Sequence, residues 1–445
     1  MDADTIAAIA TAPGRGGIGV VRVSGAKVPD IAQGVLGRLP RARNATVATF
    51  RDAHGVPLDQ GLALYFAAPH SFTGQPVLEL QGHGGPAVLN LVLQRCIELG
   101  ARPAEPGEFT KRAFLSGKLD LAQAESVADL IEAASSEGAL SAARSLVGEF
   151  SARVHAVVDG LTTLRMHVEA CIDFPDEDID PADLSTIAQK VEALRQQLAD
   201  LVGAAGQGVV LRDGLTVVLI GRPNVGKSSL LNRLAQQDLA IVTPIAGTTR
   251  DQVRASILIK GVPIHLVDTA GLRETDDPVE RIGIARTWQA LELAGAVVLL
   301  TEAGEMVAET EAEILSRLPP NLPMAWVYNK IDLHGQPAGH RVESQHASFR
   351  ISALTGEGVE ALQGWLLQVA GWKPGGEGVF MARTRHLTAL RSAATHLDRG
   401  ATVGRQLELM AEELRLAQQA LGTITGEFTA DDLLGEIFSR FCIGK

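Results

Sequence analysis

The sequence predicts a multidomain chain of α/β and α parts, in which a P-loop nucleotide-binding domain is inserted into a helical domain that an α+β domain precedes. Three observations carry that expectation. Gly221-Arg222-Pro223-Asn224-Val225-Gly226-Lys227-Ser228 satisfies G-x-x-x-x-G-K-[ST] between an apolar run and the helix-like Ser229–Ala235. Downstream of it, the apolar runs Leu215–Ile220, Ile264–Val267, Ala296–Thr301 and Met324–Tyr328 read as buried parallel strands separated by helices. On both sides of this region, apolar residues recur at helical spacing.

Taken in chain order, residues 1–118 mix short β-type runs (Gly19–Val23, Leu62–Phe66, Val77–Leu80) with Gly- and Pro-rich turns, and Ala87–Leu99 has helical spacing. Over 119–212, Leu146, Phe150, Val154, Val157, Leu161, Leu164 and Val168 form the stripe of one long amphipathic helix. The acidic stretch Pro175–Pro181 breaks it, Leu184–Leu201 resumes, and Gly203–Gly208 reads as a hinge. The nucleotide-binding domain spans 213–372, with Val253, Ala255, Ile257 and Ile259 alternating as an edge strand would. Past Pro374-Gly375-Gly376, residues 373–445 return to helical spacing, the second part of the helical domain.

Bulk properties narrow the function. A 445-residue chain with 46% hydrophobic and 21% charged residues has ample material for two or three cores. Its net charge of −12 excludes holding nucleic acid by general electrostatics, so an RNA partner needs a local basic patch. Arg38-Leu39-Pro40-Arg41-Ala42-Arg43 is the densest such cluster, and it also reads as a solvated loop. The three cysteines, Cys96, Cys171 and Cys442, have neither disulfide-framework nor zinc spacing, as expected of a reducing cytoplasm. The start, Met1-Asp2-Ala3-Asp4, lacks the features of a signal peptide, and no window approaches 18 apolar residues. Cys442-Ile443-Gly444-Lys445 sits where a prenylation box would, but Gly and Lys fit its last two places poorly.

The P-loop places Asn224, Val225, Gly226, Lys227, Ser228 and Ser229 at phosphate, with Lys227 reaching the β/γ oxygens and Ser228 reaching Mg²⁺. Asp268-Thr269-Ala270-Gly271 ends the next strand, where a carboxylate can hold a metal-bound water and a glycine N–H can approach the γ-phosphate. Asn329-Lys330-Ile331-Asp332 and Ser352-Ala353-Leu354 end two more strands. The Asp332 carboxylate accepts N1–H and the exocyclic amino hydrogens of guanine and meets only a lone pair on adenine N1, so the set selects GTP. Leu272 stands directly after D-x-x-G and carries no group to orient a water, so another group must do so.

Thr243-Pro244-Ile245-Ala246-Gly247-Thr248-Thr249-Arg250-Asp251 is similar to the loop of potassium-activated GTPases. That resemblance implies K⁺ contacts from Asn224, Thr243, Ile245 and Thr248, Mg²⁺ contacts from Ser228 and Thr249, and nucleotide contacts along Thr243 to Thr249 that include Pro244, Ala246 and Gly247. It also implies that a glutamate after D-T-A-G-L-R orients the attacking water, which makes Glu280 the candidate within an acidic segment.

The N-terminal Gly14-Arg15-Gly16-Gly17-Ile18-Gly19 contains G-x-G-x-x-G, but a strand-like run follows it in place of a helix, so the glycines read as backbone bends. With Leu78–Gly85, Pro106–Phe114, Lys118–Glu125 and Phe441–Lys445, it resembles the tRNA modification GTPase MnmE (TrmE) family along the whole chain. The resemblance implies a Ras-like G domain, a tetrahydrofolate-binding N-terminal domain that forms a homodimer, and a cytoplasmic partnership with the FAD protein MnmG (GidA). Such proteins use a tetrahydrofolate derivative, in its 5,10-methylene or 5-formyl form, to add aminomethyl or carboxymethylaminomethyl groups to C5 of the tRNA wobble uridine. By the same resemblance Arg22, Glu79, Lys118 and Lys445 contact the folate, and Cys442 is the modification thiol, with one more buried cysteine as the other reading. Two alternatives stay open: a ribosome-assembly switch of the Era or Der kind, and a folate-dependent one-carbon enzyme with a regulatory GTPase insert.

Overall fold

The computed structural model describes residues 4–173, 181–222, 224–237, 255–268, 294–304, 319, 322–343, 346–373, 379–403, 406–427, 431–439 and 441–444. The chain divides into two compact units: Met1–Ala128 with Leu146–Ile179 and Arg399–Lys445, and Asp129–Ser145 with Asp180–Asp398.

The first unit is built on a six-stranded sheet of β1 (Ile6–Ile9), β2 (Gly16–Ser24), β3 (Thr46–Arg51), β4 (Pro57–Phe66), β5 (Val77–Gly84) and β6 (Arg102–Pro103), in the order β3-β4-β5-β2-β1-β6. Leu78 and Leu80 of β5 point into a core shared with Val21, Val23, Ile31, Val35 and Val92, while Glu79, Gln81 and His83 alternate to the other face. Gly16 to Gly19 begin β2 with an irregularity in its pairing to β5, and no helix follows.

In the helical part of this unit, helix Glu149–Asp173 lies along helix Leu407–Thr425. Phe150, Val154, Val157, Leu161, Leu164 and Val168 are buried, matching the expected stripe. Leu146 does not belong to that helix: it ends the preceding helix Ser136–Leu146, and Gly148 at φ +93° separates the two. The left-handed turn interrupts the hydrogen-bond ladder without changing the apolar spacing, which is why periodicity alone joined them. Leu434, Ile437 and Phe438 of helix Asp431–Ser439 pack with Phe441 onto Leu121 and Ala124.

The second unit holds a seven-stranded sheet of β7 (Leu215–Ile220), β8 (Ala255–Ile259), β9 (Val262–Asp268), β10 (Ala296–Glu302), β11 (Met324–Asn329), β12 (Gly339–Glu343) and β13 (His346–Arg350). Its order is β12-β13-β11-β10-β7-β9-β8. The five inner strands run parallel, and β12 and β8 close the edges antiparallel. The edge position expected for 253–259 is therefore where β8 lies. Both faces of the inner strands are apolar. Val217, Leu219, Val298 and Leu300 face Leu230, Leu234, Leu362 and Trp365, and Val218, Ile220, Val297 and Leu299 pack on the other side.

Gly203–Gly208 is not a hinge. Helix Pro181–Asp213 runs unbroken through it and ends at Gly214, φ +65°. A Cβ at Gly208 would collide with the Phe380 carbonyl, so this glycine serves close approach between the helix and the chain at 380–382. At the end of the same helix, Arg212 Nε and Arg383 Nη2 donate to the buried Asp129 carboxylate at 2.9 and 2.8 Å. A carboxylate removed from water in this way needs such partners, because unpaired burial would cost several kcal/mol, on the order of 3–5.

Candidate functional site

The chain leaves β7, forms β8 and β9 on one side of it, and returns as β10 on the other. A parallel sheet that reverses its winding in this way opens a crevice at the carboxyl ends of its strands, and the P-loop leaves β7 at that point. Gly226, at φ +100°, lies where a Cβ would strike the Asn329 amide, and Asn224 turns the loop at φ +66°. These conformations curl the backbone so that helix Lys227–Gln237 starts with its N–H groups at the loop's mouth. Lys227 is buried, its ammonium donating to the Gly221 carbonyl and, at 3.5 Å, to that of Arg222. Ser228 and Ser229 are exposed at the first turn.

Asn329, 2% exposed at the end of β11, joins two of the motifs. Its Nδ2 donates to the Val225 carbonyl at 2.8 Å, and its Oδ1 accepts from the Ala353 N–H at 2.9 Å. Ser352 is fully buried, and its hydroxyl accepts from the Thr355 N–H at 3.1 Å. Lys330 adopts φ +64°, which turns the chain sharply from β11 into helix Ile331–His334 and leaves Asp332 exposed in its first turn. The P-loop, N-K-x-D and Ser352–Leu354 thus meet at one crevice. Asp268 ends β9 beside β7, although its side chain lies outside the described residues. Thr243 to Thr249, Thr269 to Gly271, Glu280 and Lys445 also lie outside them.

Two residues of this site went unnoticed in the sequence. Arg233, on the P-loop helix, donates from Nε to the Ala353 carbonyl at 3.2 Å and from Nη2 to that of Leu354, clamping the loop beside Asn329. Glu302 ends β10 and receives the Lys330 ammonium at 2.6 Å. For Glu302 a signal existed, since β10 supplies one more carboxyl end to the crevice. Arg233 had none, as an arginine on an amphipathic helix ordinarily faces solvent.

In the first unit, Arg22 and Glu79 face each other directly across β2 and β5, and Arg22 Nε donates to Glu79 Oε1 at 3.0 Å. The resemblance makes both of them folate contacts; in the structure they also pair with one another. The Arg22 guanidinium also lies 5.9 Å from the Phe72 ring centroid and 5.8 Å from that of Phe109. Its Nη1 donates to the Gly444 carbonyl at 3.4 Å. The C-terminal segment is held there because Ile443 bridges Pro106 and the Gly107 N–H donates to the Cys442 carbonyl at 3.4 Å. Gly444, φ +96°, sits where a Cβ would collide with the Ile9 carbonyl. Cys442 is exposed; Cys96 is buried, and that burial pushes its thiol up to about 12, so it is inert at neutral pH. Lys118 is exposed and follows helix Glu108–Leu115.

Two family models match this chain. Residues 5–118 match the family described as GTP-binding protein TrmE N-terminus, and residues 121–442 match the MnmE helical domain. The tRNA modification GTPase MnmE of Thiobacillus denitrificans is 61% identical over 442 residues, covering 99% of this chain and 98% of its own. Those of Chromobacterium violaceum and Nitrosomonas europaea are each 57% identical, over 442 and 447 residues and 99% of this chain.

Proposed function

The chain belongs to the MnmE/TrmE family of tRNA modification GTPases, and on that premise we propose that GTP hydrolysis in the P-loop crevice drives modification of C5 of the tRNA wobble uridine. It is a GTP hydrolase, yielding GDP and phosphate. The observation that carries the reading is Asn329, which ties the phosphate loop to the Ser352–Leu354 loop and so makes one nucleotide site from separate motifs.

In this reading the helix N-terminus and Lys227 take the β- and γ-phosphates, and Asp332 takes the guanine edge. Ser228 and Thr249 hold Mg²⁺, while Asn224, Thr243, Ile245 and Thr248 hold K⁺. The described donors among them, the Asn224 amide and the Ser228 hydroxyl, are oxygen donors at the mouth of the loop, which suits hard cations. Such cations neutralise charge that develops on the transferring phosphoryl group. Glu280 orients the attacking water.

The Arg22–Glu79 pair, with the partly exposed Phe72 ring beside the guanidinium, supplies the combination of charge and ring surface that a flat, polar heterocycle such as a pterin needs. A tetrahydrofolate derivative there provides the one-carbon unit, with Lys118 and Lys445 as further contacts and Cys442 as the thiol beside it. The working form is a cytoplasmic homodimer that joins MnmG in a larger complex. Among the described residues no helix is long and apolar enough to cross a membrane.

A tRNA nucleoside profile of a deletion strain, with and without this chain restored, tests the reading. Loss of the C5-modified wobble uridine that the restored chain repairs is the expected result. An unchanged profile with a ribosome-assembly defect would favour the Era/Der-like switch, and an unchanged profile with a one-carbon growth defect would favour the folate enzyme.

A further inference from the structure

We propose that Glu302 is a positioning residue for guanine recognition, holding Lys330 in one orientation beside the base pocket before the nucleotide arrives. Its premise is the guanine-nucleotide site described above.

The end of β10 fixes the N-K-x-D segment at two points. Glu302 stands opposite Asn329 in the parallel register, and the next N–H, that of Ala303, donates to the Asn329 carbonyl at 2.9 Å. Glu302 Oε2 then accepts from Lys330 Nζ at 2.6 Å. Its other oxygen lies 3.3 Å from His334 Nε2, so the carboxylate is engaged on both sides and cannot swing freely. The Lys330 backbone is set by its neighbours, since Asn329 and Ile331 are 2% and 1% exposed and Lys330 itself takes the left-handed conformation. Four side-chain torsions remain, and among the described residues the Glu302 contact is the one that selects among them.

Both side chains are about one quarter exposed, 29% for Lys330 and 26% for Glu302. A pair so open to water adds little to folding stability. Its effect falls on binding instead: a lysine ordered in advance loses less side-chain freedom when the base arrives, and one rotamer-rich side chain is worth roughly three- to tenfold in affinity.

The test is titration of GDP and a non-hydrolysable GTP analogue into the full-length chain and into E302A, E302Q, K330A and K330A/E302A, with melting temperatures and steady-state GTP hydrolysis alongside. The expected result is an about three- to tenfold higher Kd for both nucleotides in E302A, a smaller rise in E302Q, KM following Kd, and kcat within about twofold. In the K330A background, E302A should add nothing, because its effect runs through Lys330. Unchanged affinity in E302A would overturn the proposal. So would an equal loss in the K330A background, or a loss that only tracks a lowered melting temperature. If the unmodified chain fails to bind GDP, the nucleotide-site reading itself is at fault, an outcome distinct from the others.

Discussion

Asn329 spans two loops: its amide nitrogen holds the Val225 carbonyl of the P-loop at 2.8 Å while its amide oxygen holds the Ala353 N–H at 2.9 Å. Val225 and Ala353 are each 4% exposed, so neither backbone group can turn to water if Asn329 is truncated. Asn329→Ala should therefore destabilise the second unit by about 2–3 kcal/mol, from the two buried groups left unpaired. GDP affinity should fall along with it. Chemical denaturation with and without GDP measures both, and a stability change under about 0.5 kcal/mol would show that the two loops hold their places without this amide.

In the proposed site Asp332 chooses the base. Asp332→Asn should weaken GTP binding by about a hundredfold or more and favour xanthosine nucleotides, whose 2-oxo group accepts from an amide. Parallel titrations with the two nucleotides read this directly. Retained GTP affinity would remove Asp332 from the base pocket.

The cation assignment predicts a difference between two salts. Exchanging KCl for NaCl at equal ionic strength leaves Debye screening unchanged, so a general charge effect predicts equal rates. A K⁺ that neutralises developing charge predicts turnover slower by about tenfold or more in NaCl with little change in GTP affinity. Glu280→Ala should slow hydrolysis roughly a hundredfold even in KCl.

Acid sensitivity should centre on Glu108. Its carboxylate, 7% exposed, accepts from Arg102 at 2.6 and 2.8 Å and from Arg112 at 2.8 Å. Burial pushes its pKa up, but the Arg102 bonds, the Glu105 N–H and Arg112 outweigh it and hold the group at about 2, below the ordinary 4.5. A depressed carboxylate pKa gives stability that is complete above the unfolded value and lost as pH falls through the folded one. That contribution is about 3 kcal/mol, disappearing between pH 4.5 and 2. Glu108→Gln should thus destabilise the first unit at neutral pH, and the gap from the unmodified chain should close near pH 2 to 3. An equal gap at both pH values would mean that packing, rather than charge, explains the loss.

Cys442→Ser should separate hydrolysis from modification. The thiol is exposed and is none of the proposed phosphate, base or cation ligands, so K⁺-dependent hydrolysis should persist. Serine matches its size but ionises far less readily, so tRNA modification should fall to background. Nucleoside analysis of tRNA from cells carrying only the mutant decides it. Gly444→Ala supplies the structural contrast, because its Cβ would collide with the Ile9 carbonyl and displace the segment. Normal modification in C442S would make Cys442 one more surface residue.

By itself the sequence determined the features that local chemistry sets. G-x-x-x-x-G-K-S and N-K-x-D announce a guanine-nucleotide site because each works through neighbouring residues on one turn of chain. Buried parallel strands announce themselves as unbroken apolar runs, since both faces of the sheet are covered. The stripe from Phe150 to Val168 was equally plain, but the turn at Gly148 was invisible, because apolar spacing carries across a break in the helix. Gly203–Gly208 shows the converse: a glycine cluster suggests flexibility, and only the packed chain reveals that Gly208 admits the Phe380 carbonyl. Tertiary structure alone decided that Arg22 pairs with Glu79, that Arg233 clamps Ala353 and Leu354, and that Glu302 holds Lys330. Each of these joins residues far apart in the chain, from 28 positions for Glu302 and Lys330 to 121 for Arg233 and Leu354. Strand register and helix packing bring them together, and no local pattern encodes a partner at that distance.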